Sequence, residues 1–153
     1  MTDPVSSRKP DPRHGPRPVA ASLPIMLLRA RELVMEYFRP FLADNDLTDA
    51  QWRVLRVLHE GGPMEPTEIS VRGLVLTPSL TRILKTLESR GLIRRAPHPT
   101  DKRRHQIILT EDAHELIARL TPLSDAGYRE IERRFGPEMT RALLALLTEF
   151  CRR

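Results

Sequence analysis

The segment from Thr77 to Thr110 constrains the fold of this chain most, because its pattern is that of a helix followed by two strands. Thr77 and Pro78 fit the N-cap and the first position of a helix. Apolar residues then recur at helical spacing, at Leu80, Ile83, Leu84 and Leu87. Polar residues occupy the opposite face, at Thr81, Arg82, Lys85 and Ser89. Gly91 is the expected end of this helix.

Two short strands are predicted after Gly91, over 92–95 and 105–109. Residues 96–104 contain two prolines and a basic cluster, which indicates a loop. Thr110 is the expected cap of the next helix. This order is typical of a winged helix-turn-helix, whose helix enters the major groove while its loop reaches the neighbouring backbone or minor groove.

The distribution of charge favours a DNA partner. Residues 72–105 carry nine Lys and Arg against Glu88 and Asp101, a net charge of +7, whereas the whole chain carries +5. A basic segment on a mildly acidic body is an electrostatic footprint for phosphate. A merely solvated surface would not explain why the charges lie on the helix–strand–loop–strand unit.

Composition narrows the class of protein. The chain of 153 residues holds one cysteine, Cys151, and no apolar run that approaches the roughly 18 residues of a membrane span. Residues 1–24 contain six of the fourteen prolines and predict a disordered basic arm, either a DNA contact or an inert extension. We expect a cytoplasmic, nucleoid-associated protein with no membrane partner.

Three helices are predicted before the basic segment. The first is predicted over residues 25–43, where the apolar residues form one stripe at helical spacing. Thr48 and Gln51 form a capping box that opens a second helix to about residue 60. A short third helix, from Pro66 to about residue 72, is expected to turn Ile69 and Val71 inward and to stop at Gly73.

Two further helices are predicted after the second strand. The first spans 111–135, with Pro122 expected to kink or split it, and the second spans about 138–151. The expected apolar positions of the first are Leu116, Ile117, Leu120, Leu123, Gly127 and Ile131.

The terminal helices at both ends of the chain are amphipathic, and a second copy of the chain is the economical partner for their apolar stripes. The predicted fold is therefore mainly α with a small β-wing. It comprises a single domain over 25–152, with a winged helix-turn-helix at about 48–110. N- and C-terminal dimerisation helices flank it at about 25–44 and 111–152.

An enzyme is disfavoured, because the five histidines show no metal-ligand pairing and there is no phosphate-binding loop or nucleophile elbow. No cofactor and no metal are expected. A winged helix that binds only proteins is the alternative, since fold does not fix function. Such a module would not need so many cations on its helix and wing.

Two arginines, Arg31 and Arg56, lie on or beside apolar stripes near aromatic residues. An apolar pocket with guanidinium groups suits an aromatic carboxylate. A structural ion pair with Glu32, Asp49 or an acid of another chain is the other open interpretation. The candidate effector-binding residues are Arg31, Tyr37, Phe38, Trp52, Arg56 and His59.

The sequence resembles the MarR family of winged-helix regulators over about residues 25–152. The segments that carry the resemblance are 37–40, 47–48, 51–53, 78–81, 83–84, Glu88, 91–92, Asp101, Arg103 and 108–110. Within the family it is most similar to regulators of homoprotocatechuate-type aromatic-acid degradation. A MarR-type regulator that answers a different signal is the alternative.

The resemblance implies a homodimeric repressor that binds a pseudopalindromic operator in double-stranded DNA and is released by a small aromatic carboxylate. It further implies that Asp101 orients Arg103 toward the minor groove. Thr77 and Arg82 depart from the pattern of the most similar regulators, which implies a different operator sequence. The candidate DNA-binding residues are Thr77, Pro78, Ser79, Thr81, Arg82, Lys85, Arg94, Asp101, Lys102, Arg103 and Arg104.

Overall fold

The computed structural model describes residues 18–101 and 103–152. The predicted disorder of residues 1–17 and the predicted DNA contact of Lys102 therefore lie outside the described residues. The chain divides into two compact units, residues 1–34 and residues 35–153, which are taken in turn.

The first unit is helical from its earliest described residues. A 3-10 turn spans Val19–Ala21, and helix α1 spans Leu23–Met35. The prediction of disorder up to residue 24 is thus wrong for the described part of that segment. Pro18 and Pro24 stand at the starts of these two helical segments, where the missing N–H of proline costs no hydrogen bond. No residue of α1 is buried.

In its described residues, the second unit contains six further helices and a two-stranded antiparallel sheet. Their bounds are α2 Arg39–Ala43, α3 Asp49–Gly61, α4 Pro66–Gly73, α5 Thr77–Ser89, β1 Ile93–Pro97, β2 His105–Leu109, α6 Glu111–Phe135 and α7 Pro137–Cys151. The class predicted from the sequence, mainly α with a small β-wing, is confirmed.

The single helix predicted over 25–43 is wrong, because a turn separates α1 from α2. Pro40 cannot donate a backbone hydrogen bond to the carbonyl four residues earlier, so the α-helical ladder is interrupted there. Phe38 N donates to Met35 O at 3.0 Å, and Leu42 N donates to Phe38 O at 3.2 Å to start the new helix.

Helix α3 is the centre of the second unit. Its start is the predicted capping box, in which Thr48 N donates to Gln51 Oε1 at 3.0 Å and Gln51 N donates to Thr48 Oγ1 at 3.2 Å. It packs against α4, α5, α6 and β2. Its core side chains are Trp52, Val54, Leu55 and Leu58, all buried.

The turn between α4 and α5 differs from the prediction at two positions. Val71 is exposed, whereas Ile69 is buried as expected. The left-handed residue after α4 is Leu74, with φ 49°, rather than Gly73. Gly73 is instead the last, buried residue of the helix, so the chain turns one residue later and accepts a conformation that costs leucine more than glycine.

Helix α6 has the predicted bounds and runs through Pro122 without a split. It packs through buried residues on both sides of Pro122, and this packing outweighs the lost backbone hydrogen bond. Leu123 is exposed, contrary to prediction, and Ser124 is buried in its place. Gly127 allows α6 to approach Phe38 closely, since a Cβ there would lie 3.3 Å from Phe38 Cε1, tighter than an ordinary contact.

Helix α7 exposes its apolar stripe. None of its residues is buried within the chain. The exposed large apolar side chains on it are Met139, Leu143, Leu144, Leu146 and Phe150.

Candidate nucleic-acid interface

Helix α5 presents one apolar and one polar face, as its sequence predicts. Leu80, Leu84 and Leu87 are buried against the rest of the second unit. The opposite face is exposed and carries Ser79, Thr81, Arg82, Lys85 and Ser89. Neither Arg82 nor Lys85 forms an ion pair with the described residues, so both cations face solvent.

The start of α5 lies one residue earlier than predicted. Leu76 is the N-cap, because its carbonyl accepts the first helical hydrogen bond, from Leu80 N at 2.9 Å. Thr77 is therefore the first helical residue and not the cap, and Pro78 is the second. Thr81 Oγ1 donates to Thr77 O at 3.1 Å.

The other end of α5 is fixed by a contact that sequence reasoning missed. Arg90 donates from Nη1 to Asp46 O at 2.5 Å and from Nη2 to Asn45 O at 3.0 Å. Gly91 follows with φ 70°, as expected of a helix stop. The partners are 44 and 45 residues away along the chain, and no local pattern indicates them.

The wing is a hairpin of β1 and β2, and an isolated β-bridge adds a third segment of backbone beside β2. Strand β1 pairs with β2 from Ile93↔Leu109 to Pro97↔His105, so β1 continues two residues into the predicted loop. Met64, just before α4, pairs with Ile107 through hydrogen bonds of 2.8 and 3.3 Å. The wing is thus attached to the helix-turn-helix by backbone as well as by side chains.

The tip of the wing holds an aspartate and an arginine in contact. Arg103 donates to Asp101 Oδ1 from its backbone N at 3.0 Å and from Nε at 3.4 Å. The Arg103 side chain is nevertheless 92% exposed. The Asp101 carboxylate therefore holds Arg103 at its backbone N and at Nε, while the rest of the guanidinium points into solvent.

The remaining cations of the wing differ in their partners. Arg94 is exposed on β1. Arg95 Nε lies 3.4 Å from Glu88 Oε2, and Arg104 Nε lies 2.6 Å from Glu65 Oε1. Contact with the Glu65 carboxylate, and then its negative charge, raise the pKa of Arg104. Arg104, one of the candidate DNA-binding residues, is thus already paired within the chain, as is the neighbouring cation Arg95.

Two of the candidate effector residues, Phe38 and Trp52, belong to one aromatic cluster, in which the ring of Phe41 lies between theirs. Phe38 is buried with its ring 5.1 Å from that of Tyr128, and Trp52 is buried beside Phe41. Arg56 lies 5.8 Å over the Trp52 ring and pairs with Glu60 at 3.1 Å.

Two further candidate residues have partners of their own. The ring of His59 lies 5.7 Å from that of His114. The Tyr37 hydroxyl accepts from Arg134 Nη1 at 2.9 Å, and this bond raises the pKa of Arg134.

Arg31 and Arg56 are not buried, although the sequence places them on or beside apolar stripes. Their side chains are 43% and 40% exposed, because α1 is not covered within the chain and Arg56 borders the edge of α3. Arg31 Nη1 pairs with Glu32 Oε1 at 2.8 Å, one of the partners considered from the sequence. Burial therefore does not decide between an effector site and structural ion pairs.

The described residues contain neither a metal-ligand cluster nor a membrane-spanning helix. Across 18–101 and 103–152, His, Cys, Asp and Glu form no group of three or more that could hold a metal ion. Within the same residues, no helix is both long and apolar enough to cross a membrane.

Comparisons with known proteins place the chain among DNA-binding regulators. The MarR family pattern matches residues 47–105. The homoprotocatechuate degradative operon repressor of Escherichia coli is 40% identical over 129 residues, which cover 84% of this chain and 87% of that protein. The structure of NadR in complex with 4-hydroxyphenylacetate is 36% identical with a TM-score of 0.77, covering 86% of this chain and 96% of NadR. The repressor CouR, bound to a 23-mer DNA duplex, is 30% identical with a TM-score of 0.79, covering 87% of this chain and 94% of CouR.

Proposed function

This chain belongs to the MarR family, and we propose that it is a homodimeric repressor that binds a pseudopalindromic operator and controls an operon for aromatic-acid degradation. The observation that carries the proposal is the joint placement of an exposed basic helix face on α5 and an exposed Arg103 at the wing tip. Repression by DNA binding needs no catalytic group, and it requires a location at the chromosome, in the cytoplasm.

The proposed interface divides between α5 and the wing. Helix α5 enters the major groove, where Arg82 reads base edges. Arg103 enters the adjacent minor groove with Asp101 holding its base, and Arg94 and Lys102 contact phosphates. The helix residues assigned to the interface are Thr77, Pro78, Ser79, Thr81, Arg82 and Lys85.

The test is selection of duplexes from random-sequence DNA by the purified full-length protein. We expect a pseudopalindrome whose half-sites are about one helical turn, roughly 10 base pairs, apart. Recovery of unrelated sequences bound no more tightly than the starting pool would contradict the proposal and favour a winged helix that binds proteins.

Arg103→Ala is expected to weaken binding to the selected duplex by about 1–3 kcal/mol, because it removes a cation from a narrow minor groove. Titration of the labelled duplex measures this loss. Arg82→Ala is the matched comparison and should relax base preference at major-groove positions in a repeated selection. If Arg103→Ala binds like the wild type, the wing tip is not part of the interface.

We further propose that a phenylacetate- or catechol-type acid releases the repressor from DNA. The complex of NadR with 4-hydroxyphenylacetate supports this ligand class. In this chain the aromatic cluster of Phe38 and Trp52, with Arg56 beside it and Tyr37 and His59 nearby, offers apolar walls and a cation for a carboxylate. The acid can shift the protein away from its DNA-binding form only by its difference in affinity for the two forms.

Isothermal titration of 4-hydroxyphenylacetate and homoprotocatechuate, paired with release of the selected duplex, tests the effector. We expect the wild type to bind one acid, and Arg56→Ala to bind it at least about tenfold more weakly, since a charge-assisted hydrogen bond is lost. Arg31→Ala is measured in parallel, because the sequence singles out the same residue. If both variants bind and release like the wild type, the two arginines are structural.

A further inference from the structure

The wing carries two consecutive arginines, Arg103 and Arg104, which differ in exposure and in their partners. Arg103 points into solvent at the tip, with 92% of its side chain exposed. The Arg104 side chain is 55% exposed, and its Nε is 2.6 Å from Glu65 Oε1. Arg103 and Arg104 are neighbours in sequence but have different surroundings. We therefore consider a separate role for each of them.

Glu65 is held at the junction between the helix-turn-helix and the wing. It is the N-cap of α4 but makes no side-chain capping hydrogen bond, so its carboxylate is available for another partner. The preceding residue, Met64, is bridged to Ile107 of β2 by two backbone hydrogen bonds. This bridge carries Glu65 to the base of the wing, where its side chain is only 21% exposed.

Arg104 is held at the same place from the side of the wing. Its backbone N donates to Asp101 O at 3.0 Å, and its carbonyl accepts from His98 N at 2.9 Å, so it closes the loop of the hairpin. Glu65 and Arg104 line a polar cleft of about 270 Å³, together with His98, Gln106 and other residues at the start of α4. The Arg104 guanidinium lines this cleft and meets the Glu65 carboxylate at the start of α4.

We propose that Glu65 and Arg104 are positioning residues that fix the wing against the start of the helix-turn-helix, so that Arg103 and α5 reach the same DNA together. The inference rests on the proposed DNA binding and changes the assignment of Arg104 from a DNA contact to an anchor. Because Arg104 is already neutralised by Glu65, it displaces few counterions when DNA binds. Freeing the wing adds conformations that binding must then remove.

The effect of removing Glu65 has opposite signs under the two assignments. If Arg104 contacts phosphate, Glu65→Ala removes a nearby negative charge, frees the guanidinium and raises affinity for DNA. If the pair is an anchor, Glu65→Ala lowers affinity about 3- to 30-fold, as expected for coupled neighbours. Arg104→Ala should then lower it by a similar factor, and the double alanine variant should be no worse than either single variant.

Salt dependence supplies the second measurement, on the duplex selected by the wild type. Under the anchor assignment, Arg104→Ala leaves the slope of log affinity against log salt unchanged, whereas Arg103→Ala reduces it by about one for each Arg103 lost from the interface. A reduced slope for Arg104→Ala, with unchanged or raised affinity for Glu65→Ala, overturns the proposal. So does wild-type affinity in all three alanine variants.

A charge-swapped pair, Glu65→Arg with Arg104→Glu, keeps the test decisive if a single variant unfolds. The anchor predicts that the swapped protein recovers most of the affinity lost by Arg104→Glu alone, while a phosphate contact predicts no recovery. Thermal unfolding of each protein checks that the fold is intact. Failure of the wild type to select any duplex refutes the proposed function itself and is seen before these variants are compared.

Discussion

Replacing Leu143 and Leu146 of α7 together with aspartate is expected to convert the dimer into monomers and to lower affinity for a duplex with two half-sites about 10²–10⁴-fold. Both side chains are exposed on a helix that has no buried residue within the chain. In the proposed dimer they are covered by the partner, and burying two charges there is strongly unfavourable. A monomer also loses the gain from binding two linked half-sites, which is the source of the large factor.

A control on the same helix separates the apolar stripe from the general effect of added charge. Thr148 is exposed, and helical periodicity places it on the side of α7 away from Leu143 and Leu146. Thr148→Asp should remain dimeric and bind DNA like the wild type. Sedimentation measures the mass of each protein and titration its affinity. A wild type that sediments as a monomer and still binds tightly would refute the dimer.

Helix α1 shows the same unpartnered character, which strengthens the proposal that both terminal helices form the dimer interface. Its exposed apolar side chains are Leu23, Met26, Leu27, Leu28 and Leu33. A folded protein rarely leaves two amphipathic helices uncovered, because each buried CH₂ contributes about 0.8 kcal/mol. The terminal helices of the sequence thus predict an assembly as well as a fold.

Local chemistry explains which elements the sequence predicts well. Strand β2 and helix α6 have the predicted bounds, because alternation, the Thr110 cap and Gly136 specify them within a few residues. Thr110 Oγ1 accepts from Ala113 N at 3.3 Å, as the pattern indicates. The capping box at Thr48 is equally local. Such signals involve residues three or four apart and do not depend on the rest of the fold.

The sequence-based prediction is wrong where contacts between distant parts of the chain determine the local structure. Pro122 is tolerated because α6 packs on both sides of it. Leu74 adopts φ 49° because the two packed helices on either side of it, α4 and α5, determine the geometry of the turn between them.

In the candidate DNA-binding site, too, local features are predicted well and long-range contacts are not. Helical periodicity predicts that Arg82 and Lys85 are exposed, whereas the partners of Arg90 and Arg104 lie 44 and 39 residues away along the sequence. Counting cations therefore overestimates how many are free for DNA.

Raising the salt concentration from about 50 to 200 mM is expected to lower affinity for the selected duplex about 10³–10⁵-fold, if six to ten phosphates are contacted. Cations that enter a groove neutralise neighbouring phosphates as direct phosphate contacts do, and each protomer supplies Arg82, Lys85 and Arg94, besides Arg103 at the tip. Two protomers double the number of contacts, which brings it into that range. Each contact releases condensed counterions, and this release becomes less favourable as salt increases.

The slope of log affinity against log salt then distinguishes interface cations from other surface cations of equal charge. Arg103→Ala should reduce the slope by about two in the dimer, one for each copy. Arg133→Ala removes the same charge from α6, where Glu130 pairs with the arginine and raises its pKa, and should leave the slope unchanged. Equal slopes for both variants would mean that net charge alone governs binding. An affinity that is insensitive to salt would refute phosphate neutralisation altogether, because no arrangement of these cations on a duplex avoids displacing counterions.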